Sequence, residues 1–167
     1  MAYDRVPRSA TRSAAVTAAD PQSATTPAAA TAAFLEAVAA ANRFEIDSGK
    51  LAVERADADA VRLFAQSMID AHGRTADKLR AAAGQMQLRL PSAEPDERQR
   101  AILDRLASSS GTDFDRSYIE AQYEAHVEAV DVVKAYSLHG PDTDLKTFAA
   151  DLLSMLQGHL SDVAKLR

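Results

Sequence analysis

From Thr31 onward, large apolar side chains return every three or four residues in four long segments, and this spacing narrows the fold more than any other feature of the chain. The last segment shows it best, with Leu145, Phe148, Leu152, Met155, His159, Val163 and Leu166 on one face. The first carries Phe34, Val38, Ala41, Glu45, Ser48 and Ala52, flanked by Phe44 and Leu51. The second reads Val61, Ala65, Met68, His72, Leu79, Ala83 and Met86 and is expected to run until just before Leu90-Pro91. The third reads Ile119, Gln122, His126, Val130 and Val133 and stops at Gly140-Pro141. Asp57, Thr112 or Asp113, and Asp142 or Thr143 stand where caps for the second, third and fourth helices are needed. A short helix opened by Pro95, with Ile102, Leu103 and Leu106, fills the linker between the second and third.

Stripes of this kind are buried only by facing one another. The connections inside the first pair and inside the last pair are very short, so each pair predicts an antiparallel hairpin. The segments "VRLFA" at 61–65 and "LKTFA" at 145–149 open the second helix of each hairpin as a faint internal echo. The expected fold is all-α: an up-down four-helix bundle, both tight turns at one end, with a short extra helix between helices 2 and 3.

Residues 1–30 are rich in Ala, Thr, Ser and Pro with almost no large apolar side chain, and read as a flexible tail before a bundle domain at 31–167. The stretch has arginines early but no hydrophobic centre, so it does not read as a signal peptide. Taken as the natural start, it implies a cytoplasmic protein. A net charge of −5 without a basic run argues against nucleic acid and anionic membrane as partners. No segment has the apolar length of a transmembrane span. Cysteine is absent, which removes disulfides, thiolate metal sites and cysteine nucleophiles. A protein or small-molecule partner is not specified, and the bundle is compatible with a monomer or a homodimer.

Three of the four histidines, His72, His126 and His159, lie on inward stripes of three different helices, and Glu45 lies inward on the remaining one. At about 1.5 Å per residue from the tight turns, their heights spread over roughly 10 Å, so the four can meet at one level. With roughly two positions in seven facing inward, chance alone would turn all three histidines inside about one time in forty. A buried glutamate also needs compensation, which a cation supplies. This predicts one divalent metal ion held by Glu45, His72, His126 and His159, with zinc first and iron, copper, nickel or manganese open to the same donors. The residues three before the histidines are Ile69, Tyr123 and Leu156, so the Glu-x-x-His pairs of a di-iron carboxylate centre are missing. Asn42, Gln122 and Asp162 lie about one turn from these residues and are candidates to orient them. His139, before Gly140, is placed to meet helix C-terminal carbonyls. Gly49 either makes room near the site or permits close helix contact. Tyr118, Tyr123 and Tyr136 read as packing residues.

The stretches "FLEAVAAANRFEIDSGKLAVERA", "VRLFAQSMIDAH", "FDRSYIEAQYEAHVEAV" and "LKTFAADLLSMLQGHL" resemble the bacterial DUF4142 family of the ferritin-like superfamily, from about Phe34 to Leu166. Asn42, Glu45, Ile46, Gly49, Leu51 and Ala52 match its Asn-x-x-Glu-Ile…Gly-x-Leu-Ala signature, and His72, His126 and His159 match its histidine motifs. Ala71 stands where that family commonly has Asp. The resemblance implies a ferritin-like bundle of unassigned activity, in the periplasm or cell envelope if a leader has been removed. Three functions remain open from sequence. One is a bundle closed around its ion, the second a metalloenzyme with an open coordination position, and the third a metal-free interaction or stress module.

Overall fold

The computed structural model describes residues 26–90 and 92–167, which form α1 (Pro27–Arg55), α2 (Asp59–Gln85), α3 (Glu97–Ala107), α4 (Gly111–His139) and α5 (Thr143–Ala164). No strand occurs among the described residues. Residues 1–25 of the expected tail lie outside them, whereas Pro27 to Ala30 are already helical. Thr26 caps α1 by accepting from the Ala29 amide, and Pro27 takes the first position, where its missing N–H costs nothing. Alanine, poor in apolar area, is the best intrinsic helix former, so a composition that looks like a tail extends the helix.

Helix α1 packs along α2 and α4 along α5, as the short connections require, and α1 against α4 couples the two hairpins. Gly49 lies at a close contact between α1 and α2: a Cβ there would sit 2.9 Å from Ile69 Cγ1 and 3.2 Å from the Ala65 carbonyl oxygen. The glycine therefore serves helix contact.

The two tight turns do not share an end of the bundle, contrary to the expectation that both lie at one end. One apolar cluster joins the start of α1 (Phe34, Val38), the end of α2 (Leu79), the end of α4 (Tyr136) and the start of α5 (Leu145). The second joins Ala52, Val61, Phe114 and Val163 at the opposite ends of those helices. The α1–α2 turn belongs to the second cluster and the α4–α5 turn to the first. The chain after α2 must travel the length of the bundle: Met86 and Leu90 pack on the first cluster, Ile102 and Leu106 on the second. Helix α3 is this crossover, laid against α1 and α4.

Several boundaries differ from the sequence reading for identifiable reasons. Helix α2 ends at Gln85 rather than at Leu90, because Gln87 adopts a left-handed φ of 56°. The Leu88 amide then bonds the Ala83 carbonyl and the Gln87 amide the Gly84 carbonyl, a Schellman closure made without glycine. Asp57 does not cap α2. Its own amide and that of Ala58 donate instead to the two carboxylate oxygens of Asp115 from α4, at 2.9 and 2.8 Å. Ser110, rather than Thr112 or Asp113, precedes α4, and Asp96 rather than Pro95 starts α3 through a reciprocal capping box with Gln99. Asp142 caps α5 as expected.

Candidate metal centre

Between the two apolar clusters the core is polar. Asn42, Glu45 and Ser48 from α1, His72 and Thr75 from α2, and Gln122 and His126 from α4 are all buried there. His159 from α5 completes the layer and is half-buried. His126 is the 16th of the 29 residues of α4, next to its midpoint. A site at mid-height survives inversion of one hairpin, which is why heights measured from the wrong end still converge.

The tautomers follow from hydrogen bonding. His72 Nδ1 lies 2.9 Å from Asn42 Oδ1, an acceptor, so it carries the proton and leaves its buried, unpartnered Nε2 with a free lone pair. His126 Nδ1 donates to the Gln122 carbonyl at 2.9 Å, which frees its Nε2 in the same way. That Nε2 is 3.4 Å from His159 Nδ1. One ring nitrogen of each histidine lies within 4.8 Å of those of the other two. Fixing the remote nitrogen to an oxygen is how proteins orient imidazole ligands.

Glu45 lies elsewhere around the same ring. Its Oε1 is 3.8 Å from His126 Nδ1, the nitrogen on the edge away from His159, and it is not in the group of converging ligand atoms. Its Oε2 has no partner. Gln122 Nε2 donates to Ser48 Oγ at 3.1 Å, and Ser48 in turn to the Glu45 carbonyl at 3.3 Å. Asp162 is exposed and accepts from Lys165 Nζ at 2.8 Å. His139 is exposed at the end of α4. Three neighbours, Thr75, Met155 and Tyr118, were not read from the sequence as part of this layer. The Thr75 hydroxyl lies 2.9 Å from the Ala71 carbonyl and 3.7 Å from Met155 Sδ, and the buried Tyr118 hydroxyl has no partner. Thr75 sits three residues after His72, a spacing that could have pointed to it.

Burial sets the protonation states. It drives the His72 imidazolium well below its ordinary pKa, aided by the adjacent His126 and His159. His159 falls to about 4, first through burial and then through His126. Both rings are therefore neutral at pH 7, the form that coordinates a metal. Glu45 is raised, because desolvation outweighs the opposing effects of His126 and Gln122. The layer thus offers three nitrogen lone pairs at one point, with no carboxylate among them.

The family model described as "Domain of unknown function (DUF4142)" matches residues 16–166. The chain belongs to the DUF4142 family. No curated protein matches the sequence of this DUF4142 chain. Among solved structures it is similar to CopM in its Cu(I)-bound form, with a TM-score of 0.67 and 18% identity, covering 80% of this chain and 92% of CopM. The Cu(II)-bound form of CopM gives 0.69 and 16%, with 80% and 93% covered. A DUF305 protein of Streptomyces coelicolor described as secreted gives 0.70 and 15%, with 85% and 91% covered. At these identities the likeness speaks for the fold alone, a helical bundle. No helix among the described residues of the DUF4142 chain is long and apolar enough to cross a membrane.

Proposed function

We propose that this chain binds one copper ion in the bundle core, held by His72 Nε2, His126 Nε2 and His159 Nδ1. The observation that carries the reading is the convergence of three imidazole nitrogens within 4.8 Å, in a polar layer between two apolar clusters. Glu45 then acts through His126, balancing the ion's charge from the far side of that ring, and Asn42 and the Gln122 carbonyl hold the His72 and His126 rings in register. Zinc, the first choice from sequence, rested on Glu45 as a fourth donor. Without a carboxylate at the convergence point the set is all nitrogen, and copper heads the affinity order for such donors. The fold-level likeness to CopM, whose copper- and silver-bound forms are known, supports the same choice. Three protein donors leave a coordination position open, which suits an ion that is loaded and released. The likeness to a DUF305 protein described as secreted supports a place outside the cytoplasm.

Copper and zinc added to the full chain and quantified after desalting test the proposal. One copper per chain is expected, not displaced by equimolar zinc and lost in His72→Ala and His126→Ala. Zinc that copper fails to displace would refute the metal assignment, and copper retained by a triple histidine variant would refute the site.

A further inference from the structure

A cavity of about 330 Å³ opens between α1 and α4 beneath α3 and runs inward as far as His72 and His126. Its walls are made small by alanines, Ala41, Ala121, Ala125 and Ala129, with Ile102 of α3 over them. Asn42 and Glu45 line it as well, and they are 3% and 4% exposed. Each holds a polar atom with no partner in the protein: Asn42 Nδ2, a donor, and Glu45 Oε2, an acceptor when ionised. Buried polar atoms are rarely left without partners, and two of them beside one apolar cavity describe a ligand. Arg98, at the α3 side of the cavity, is engaged by Glu128 at 2.5 Å and Glu124 at 3.3 Å, which leaves no free cation among the described lining residues to attract an anion.

The geometry points to a binding site for a small uncharged molecule with an apolar body and a single hydroxyl head, of the phenol or short alkanol class. The hydroxyl accepts from Asn42 Nδ2 and donates to Glu45, and the apolar body lies along the alanines. A hydroxyl is the smallest group that serves both atoms at once. The site adjoins the copper site and shares Asn42 and Glu45 with it, but it uses their other atoms, Nδ2 and Oε2, and does not require the ion.

Ligand-observed NMR titration of the full chain with p-cresol and with toluene tests it, in chelator-treated and copper-loaded samples alike. Saturable p-cresol binding at millimolar or lower concentration is expected, with toluene at least tenfold weaker. Ala125→Phe, which fills the half-buried mouth, should abolish p-cresol binding, and Ala41→Met should weaken it with less strain on the helices. Toluene binding as tightly as p-cresol would overturn the hydroxyl head. Unchanged binding in both variants would overturn the location, and no saturation up to 10 mM would overturn the site. Loss of copper binding with p-cresol binding intact would count against the metal reading alone.

Discussion

Replacing His159 by leucine separates a metal ligand from a packing residue by the sign of its effect. The ring is half-buried, and its contact with His126 Nε2 at 3.4 Å is a long and weak hydrogen bond. Leucine at such a position gains at most about 1 kcal/mol from its better apolar fit, and the unpartnered His126 nitrogen takes back part of that. Chelator-treated His159→Leu should therefore melt within a few degrees of the parent. Copper changes the comparison. An ion bound only by the folded state, at a thousandfold excess over its dissociation constant, adds about 4 kcal/mol. If two imidazoles hold it about a hundredfold more weakly, the variant keeps about 1.4 kcal/mol of that, a deficit of about 2.7 kcal/mol. For a bundle of this size, at about 3 °C per kcal/mol, the copper-loaded variant should melt roughly 8 °C below the parent. Calorimetry or circular dichroism melts at pH 7, with copper and then with excess chelator, provide the assay. A variant that melts at or above the parent in copper, or a deficit the chelator leaves untouched, would refute ligation by His159.

Gly49→Ala gains about 1 kcal/mol of helix propensity, yet its Cβ meets Ile69 and the Ala65 backbone oxygen, which cannot turn aside. Overpacking at about 1–3 kcal/mol should win, and urea unfolding should show a net loss; a more stable variant would disprove the close contact. Asp115→Ala strands the amides of Asp57 and Ala58 and should cost about 2 kcal/mol in the same assay, against no change if water replaces the carboxylate freely. In metal-free protein, His72 and His159 have folded pKa values below their unfolded value, so the stability they contribute is present above pH 6.5. It drains as pH falls through 6.5 toward 4. The raised pKa of Glu45 acts with the opposite sign and offsets part of this loss. Melts from pH 7 to 5 should fall steadily; a flat profile would mean the imidazoles are not held neutral.

What could be read without the fold was whatever a single helix repeats locally. A stripe at helical spacing places His72, His126 and His159 inward whatever packs against them, and Asp142 caps α5 by reaching the amide three residues on. Caps supplied from another helix have no such mark, and Asp115 bonding the amides before α2 is one of these. The left-handed Gln87 that ends α2 early also broke the glycine rule that sequence reading depends on.

The sequence by itself determined that the chain is a helical bundle and which faces are buried, because period and turn chemistry are properties of neighbouring residues. Only the tertiary structure decided that α3 crosses the length of the bundle and puts the two tight turns at opposite ends. The direction of a hairpin depends on contacts such as Phe34 stacked on Tyr136, more than a hundred residues apart in the chain. It also decided that Glu45 faces His126 Nδ1 while His159 faces Nε2. Both placements satisfy the same inward stripe. They differ by which edge of one imidazole each helix presents to it, and that is set by the rotation of α1 and α5 against α4.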